Sequence, residues 1–469
     1  MDCANLLLTL VVGENGVSKN WESRDGLKEI SSKELCSVSG EIYLLKSLES
    51  LLLELYGKCN EERLNLKLKD GLKRCQSVLD SIWERLNTGI WKQTPTYLRH
   101  LYSYASLIKA VVLSCLSCHG DSSKERLEYL RASLKTVDYG ILLGMPTLEL
   151  TTAAQILSKE LNKCSSREDL CPSFGQMTKK GKVTADNIKD PHPGIADEVS
   201  VEDVTVLDCP PECPWRAWGR PTRSMPVLLK PSLQQFYIEH FLQGVPAVLK
   251  GCLDHWPALS LWSPSYLTEM AGNRTVPIEL GPHYVHPAWG QKLMAIGDFV
   301  EQHMAPDPKQ SAGGIEKKIG YLAQHPLFDQ IPELRNDIKV PEYCCLTEDI
   351  DSSADEEVDI NAWFGPKGTV SPLHHDPKHN LLAQVLGSKR VILYSSDDSK
   401  YLHPYEGQLL DNTSQVDPED PLTLSRFPDV SSAQSWECEL HAGDMLYIPR
   451  RWWHHVRSLS TSFSVSFWW

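Results

Sequence analysis

A chain of 469 residues with a formal charge of −14 is long enough for two or three domains and at least one large core. Its acidic balance argues against broad phosphate-backbone binding, which relies on clustered Lys and Arg, so no direct nucleic-acid binding is expected. Fourteen cysteines without a secretory leader read as reduced thiols inside the cell.

The opening stretch "MDCANLLLTLVVGENG" has no basic flank and too short an apolar run to span a bilayer, so it reads as a first core segment. The pattern is then helical to about residue 164. In "LRHLYSYASLIKAVVLSC", Leu101, Ala105, Ile108, Val112 and Cys115 recur at three- and four-residue steps and share one helix face. Lys109 at the centre of this stretch makes it a packed helix rather than a membrane span, and no membrane association is expected. "CLSCH" (Cys115 to His119) has the spacing of a c-type haem attachment site. It closes an amphipathic helix, so its thiols read as structural. "CPPEC" (Cys209 to Cys213) lacks a second pair at zinc-site spacing and reads the same way.

Residues 165–222 lose periodicity and carry Pro172, Pro191, Pro193, Pro210, Pro211, Pro214 and Pro221, the composition of a linker. "GQMTKKGKVT" fails as a phosphate loop, because five residues separate Gly175 from Gly181 and Val183 stands where a metal-binding hydroxyl is required. Its Lys179, Lys180 and Lys182 form a solvated basic run, with a weak nuclear-import patch as the alternative. The expected organisation is therefore a helical domain over 1–164, a Pro-rich linker over 165–222 and a third unit over 223–469.

That third unit reads as short strands between turns: "VPAVLKG", "RTVPIEL", "NLLAQVLG", "KRVILYS", "DMLYIP" and "SFSVSFWW". The last alternates strictly, with Phe463, Val465 and Phe467 on one face and Ser462, Ser464 and Ser466 on the other. Many short strands and few long helices predict a sandwich or barrel. Glu348 to Asp359, "EDIDSSADEEVD", is too acidic to pack and reads as an exposed loop.

"PLHHDPKHN" concentrates three histidines and an aspartate in nine positions. In an extended chain His374 and Asp376 point one way and His375 the other. An imidazole and a carboxylate projecting together supply two members of a 2-His-1-carboxylate triad, a set that holds non-haem Fe(II) with open positions. "GDMLYIPRRWWHHVRS" offers the second imidazole, His454 or His455, and spacing alone leaves that choice open. In "NLLAQVLGSKRVILYS" the Gly387-Ser388 pair reads as a hairpin turn. Lys389 and Arg390 follow it on an apolar strand, and a cation buried there requires an anion. An exposed strand end for both is the equal alternative.

Together, "NAWFGPKGTVSPLHHDPKHNLLAQVLGSKRVILY" and "GDMLYIPRRWWHHVRSLSTSFSVSFWW" resemble the JmjC branch of the Fe(II)/2-oxoglutarate oxygenases. The likeness extends back through "IGYLAQHPLFDQIPEL" and "VPAVLKGCLDHWPALSLWS", with core motifs over 320–469, and the helical stretch also resembles that of one family member. The resemblance implies a mixed α and β chain, an all-helical domain followed by a double-stranded β-helix of jelly-roll, cupin-like form. It assigns Fe(II) to His374, Asp376 and His454, and the far carboxylate of 2-oxoglutarate to Lys389. It places Tyr321, Asn380, Ser371 and Trp363 around that cosubstrate, and Glu279, Tyr284, Trp289 and Gln324 near a bound arginine side chain. His375, His379 and His455 are extra histidines beside the set, and the acidic loop before Trp363 bears on access for basic peptides.

The implied chemistry couples O2 and decarboxylation of 2-oxoglutarate to succinate with hydroxylation of a C–H bond. On a carbon of an arginine side chain the product is a stable alcohol. On an N-methyl group it is a hemiaminal that collapses to formaldehyde, which is demethylation. The leading expectation is thus an arginyl hydroxylase of protein substrates, and the second a methyl-lysine demethylase of histone tails. A cupin-like binding scaffold without turnover is the third. A zinc peptidase is disfavoured, since no His-Glu-x-x-His helix is present. The resemblance also implies a nuclear protein, with the cytoplasm possible, active in chromatin, transcription, cell-cycle control and biological rhythms, whose helical domain recruits partners.

Overall fold

The computed structural model describes residues 3–12, 38–55, 62–88, 94–120, 122–168, 222–304, 319–347, 357–407, 410–420 and 422–469. The CPPEC pair, the Lys179–Lys182 run, nearly all of the Pro-rich stretch and residues 348–356 of the acidic insertion lie outside them.

Among the described residues six helices form the N-terminal region: α1 (Cys3–Val12), α2 (Ser39–Leu55), α3 (Glu62–Leu86), α4 (Thr96–Ser117), α5 (Ser123–Leu143) and α6 (Leu148–Glu168). The stripe expected on α4 is buried, but so are Tyr102, Tyr104, Leu107, Val111 and Leu113 on its other sides. An α-helix apolar all round belongs at the centre of a bundle, and α1, α2, α3, α5 and α6 all contact α4. Helix α1 docks there too, with Leu7 and Leu8 fully buried and Cys3 Sγ 3.7 Å from Ser114 Oγ. Cys115 of the haem-like motif lies in this core, and the Cys118 thiol donates to the Ser114 carbonyl. Helix α5 begins at the cap Ser122, whose hydroxyl accepts from the Glu125 amide. No helix among the described residues is long and apolar enough to cross a membrane.

The described residues from 222 onward build two sheets. Fourteen strands run in chain order among the described residues, and those around the site are β4 (Thr275–Leu280), β5 (Gly290–Ala295), β6 (Gly320–His325), β7 (Asp359–Gly365), β8 (Val370–His375), β9 (Asn380–Leu386), β10 (Ser388–Tyr394), β11 (Ser435–His441), β12 (Met445–Ile448), β13 (Trp453–Ser458) and β14 (Ser462–Trp468). Strands β11-β10-β13-β8 form one sheet with β1 (Arg223–Ser224) at its edge. Strands β12-β9-β14-β7-β6-β4-β5 belong to the other, with β2 (Val227–Leu229) and β3 (Ala247–Lys250) beyond β12. From β7 onward the chain steps between the sheets at almost every connection, which winds a double-stranded β-helix.

One turn read from sequence is in fact a corner between sheets. β9 pairs with β12 and β14, whereas β10 pairs with β11 and β13, so Gly387-Ser388 is not a hairpin turn. Gly387 has φ +72°, and a Cβ there would sit 2.1 Å from the Thr461 carbonyl oxygen. The corner therefore requires glycine. Gly443-Asp444 likewise carries the chain from β11 to β12.

Strand β14 shows why the barrel is lined as it is. Phe463, Val465 and Phe467 pack with Trp256, Trp262 and Phe364 in the core that joins the larger sheet to its covering helices. Ser462, Ser464 and Ser466 on the other face are equally buried. Ser464 donates to Gln384 Oε1, and Ser466 Oγ accepts from Trp363 Nε1. The apolar face thus points away from the barrel axis, and the barrel interior is left partly polar.

Candidate metal and cosubstrate site

His374 is the last residue but one of β8, and His454 lies directly opposite it on β13. Their rings are 4.2 Å apart between centroids. Asp376, just beyond β8, brings Oδ2 within 3.6 Å of His454 Nε2. One ligand atom from each of the three lies within 4.8 Å of the others.

The tautomers are set by backbone carbonyls. His374 Nδ1 donates to the Pro372 carbonyl at 2.7 Å, and His454 Nδ1 donates to the Trp452 carbonyl at 3.0 Å. Each ring therefore turns an Nε2 lone pair toward the cluster, the arrangement a metal-binding histidine adopts. Burial, with His374 alongside, pushes His454 down to about 4, so its ring is neutral at physiological pH. Asp376 Oδ2 is buried and has no hydrogen-bond partner. Two imidazole Nε2 atoms and an orphaned carboxylate oxygen fit a divalent iron.

The neighbouring histidines are turned elsewhere. His375 sets its ring edge-on to Trp453, 4.6 Å between centroids. His379 Nδ1 accepts from the Tyr447 hydroxyl and packs among Phe241, Tyr447 and Trp469. His455 points to the far side of β13, toward Glu419.

A small cavity in the barrel joins this cluster to Tyr321, Trp363, Ser371, Asn380 and Lys389, closed by Leu382, Ile448 and Val456. Lys389 is 1% exposed, and its Nζ donates to the Tyr321 hydroxyl at 3.2 Å. Among the described residues it has no acidic partner, and burial pushes it down to about 7. Asn380 Oδ1 is also buried and unpartnered. Tyr321 itself is pushed above its ordinary range, chiefly by burial. Arg390 leaves the opposite face of β10 and pairs with Glu419 and Glu437. Both cations are buried, so the exposed strand end does not occur.

The four positions expected near an arginine side chain fare differently. Glu279 on β4 sits opposite Tyr321 in register. Burial raises its carboxyl, and a hydrogen bond with Trp289 opposes that. The Tyr284 hydroxyl lies 3.2 Å from Thr413 Oγ1, and its ring stands edge-on to His374. Its hydroxyl is pushed up to about 12 by burial, with Asp376 and Glu279 adding to the rise. Trp289 is 39% exposed. Gln324 is exposed, at a left-handed φ of +45° within a register shift of β6, and makes none of the cavity's contacts. Thr413 was not singled out from the sequence, since a lone threonine in a polar loop carries no signal.

A family model described as a cupin-like domain matches residues 233–469. The chain is 40% identical over 399 residues to lysine-specific demethylase 8 of Danio rerio, covering 85% of this chain and 87% of that one. It is 36% identical to Jumonji C domain-containing protein 5 of Drosophila melanogaster, over 84% and 85% of the two chains. It is 28% identical to the human bifunctional peptidase and (3S)-lysyl hydroxylase JMJD7, over 52% and 84%. The chain belongs to the cupin-like JmjC family of Fe(II)/2-oxoglutarate oxygenases. Its activity is that of a 2-oxoglutarate-dependent dioxygenase.

Proposed function

We propose that His374, Asp376 and His454 hold the iron, and that Lys389, with Tyr321, Asn380, Ser371 and Trp363, holds 2-oxoglutarate. The observation that carries this reading is the pairing of a buried lysine that lacks an anion with a buried carboxylate oxygen that lacks a partner, in one cavity. Bound iron supplies the redox chemistry that couples O2 and the keto acid to C–H oxidation. The chain's own residues do the rest. The Pro372 and Trp452 carbonyls hold both imidazoles in the acceptor tautomer. Lys389 orients the far carboxylate of the cosubstrate, and Leu382, Ile448 and Val456 exclude water.

The substrate in this reading is an arginine side chain within a protein. Glu279 is a half-buried carboxylate that a guanidinium would relieve by planar, bidentate pairing. The Tyr284 ring stands edge-on to His374, and its hydroxyl feels the charges of both Glu279 and Asp376, which supports a substrate path from Glu279 to the cluster. Methyl-lysine demethylation is the second reading, favoured by the names of relatives such as lysine-specific demethylase 8. A nuclear role on histone or other basic protein segments, with the cytoplasm as a further site and the helical region recruiting partners, follows from the same likeness. Mass spectrometry of arginine and methyl-lysine peptides, incubated side by side, separates the readings. A gain of one oxygen on arginine supports the first, and loss of methyl groups supports the second. No succinate from either, with iron, 2-oxoglutarate and O2 present, leaves a binding scaffold.

A further inference from the structure

A carboxylate far from the cavity organises its substrate side. Asp138 on α5 is completely buried, and its partners all come from the β-rich region. Oδ1 accepts from Arg274 Nη2 at 2.7 Å, Arg274 Nε at 3.0 Å and Gln330 Nε2 at 2.9 Å. Oδ2 accepts from the Thr275 amide at 2.7 Å. Arg274 is 2% exposed and gives its second Nη2 bond to the Gln330 carbonyl. Gln330, in the short helix Leu327–Gln330, donates to the Thr275 carbonyl, and its Oε1 accepts from His325 Nε2. One helical side chain therefore ties together the first residue of β4, the last residue of β6 and the helix that follows it.

These are the strands that carry Glu279 and Tyr321. They are not equally held. β6 is also paired to β7, and Tyr321 is also bonded to Lys389. β4 has only β5 on one side and, on the other, a short pairing with β6 at Glu279 and Leu280. The end of β4 at Thr275 is held on the β5 side by the pairing with Ala295 and the Ile296 amide on the Arg274 carbonyl, and otherwise by Asp138 and Gln330.

We propose that Asp138 is a positioning residue for the protein substrate: by holding Arg274 and Thr275 it sets where β4 presents Glu279, so the helical region is a working part of the catalytic unit. This rests on the reading of Glu279 as a substrate contact.

The test uses the full-length protein. Asp138→Asn keeps the side-chain volume but removes the charge that holds Arg274. The double variant Asp138→Leu with Arg274→Met removes both charges, which restores stability where loss of one partner alone would strand the other, yet still leaves the Thr275 amide without its acceptor. For both variants the KM for an arginine peptide rises roughly five- to thirtyfold, while the KM for 2-oxoglutarate and peptide-free succinate formation stay within about twofold of wild type. Amide hydrogen exchange over 275–280 quickens in parallel. A structural role alone would lower the active fraction and leave both KM values in place. A wild-type peptide KM in a stable double variant, or unchanged exchange over 275–280, overturns the proposal. If wild-type enzyme oxidises no arginine peptide, the reading of Glu279 fails, and the exchange measurement still decides whether Asp138 holds β4.

Discussion

Lys389→Met should move stability and cosubstrate affinity in opposite directions. Burial depresses the lysine from its ordinary 10.5 to about 7, so the folded, cosubstrate-free protein holds this proton more weakly than the unfolded chain does. The sign follows from linkage. The folded state is penalised as pH falls from about 10.5 toward about 7, and the penalty is constant below that. Near pH 7 it is on the order of 4 kcal/mol. Methionine fills similar space without charge, so the cosubstrate-free variant should melt higher. At about 2–4 °C per kcal/mol for a domain of this size, the gain should be at least about 5 °C at pH 7, and it should shrink toward pH 10. Cosubstrate binding should suffer in the reverse sense. A charge-assisted hydrogen bond is worth about 1.5–3 kcal/mol, which is roughly 10- to 150-fold in Kd. Thermal melts at pH 7 and pH 9.5, with anaerobic calorimetric titration of 2-oxoglutarate in the presence of Mn(II), read both quantities. A lower melting temperature together with an unchanged Kd would refute the reasoning, because it would mean that Lys389 already has its counter-charge within the protein.

Asp376→Asn should leave the melting temperature within about 2 °C of wild type, since Oδ2 has no partner to lose, while Co(II) affinity, read from visible absorption, falls by more than about a hundredfold. Glu279→Gln should raise the KM for an arginine peptide roughly tenfold or more and leave that for 2-oxoglutarate unchanged; equal KM values in mutant and wild type would remove Glu279 from the substrate path. Gly387→Ala forces a Cβ onto the Thr461 carbonyl at a left-handed φ and should cost more than about 2 kcal/mol in urea titration.

What the sequence disclosed tracks the range of the interactions involved. The strands were legible because alternation is local: Phe463, Val465 and Phe467 declare a face whatever lies beyond it. Sheet membership was not. The Gly387 corner looks like a hairpin turn because a left-handed glycine serves both purposes, and only the partners of β9 and β10 tell them apart. The choice between His454 and His455 did have a local signal. His455 shares its strand face with Arg457, which pairs with Glu419, whereas His454 shares its face with Val456 in the cavity. Lys389 and Arg390 had none, since Val391 and Leu393 on one face and Ile392 and Tyr394 on the other are all apolar and all buried. Asp138 was hidden for a different reason: in "LKTVDYGILL" it reads as a helix-surface residue, and its partner Arg274 stands 136 positions away.

Lys389 and Arg390 also differ in how fully the protein matches their charge. Both are buried on β10, one residue apart. Arg390 meets Glu437 and Glu419, and Glu419 in turn receives Arg457, with His455 4.0 Å away. That second grouping of Asp417, Glu419 and His455 has the donors of a metal site. Two guanidinium groups already satisfy its central carboxylate, so a metal ion would add positive charge where positive charge is already in place. On the cavity side the balance is reversed. Among the described residues Lys389 donates to a phenol and has no acidic partner, Asp376 Oδ2 and Asn380 Oδ1 have no hydrogen-bond partner, and the His374 and His454 rings are held by main-chain carbonyls rather than by carboxylates. A fold tolerates such a concentration of unmatched polar groups when a ligand completes it. The complement we propose is a divalent cation held by His374, Asp376 and His454, with a dianionic keto acid held by the lysine.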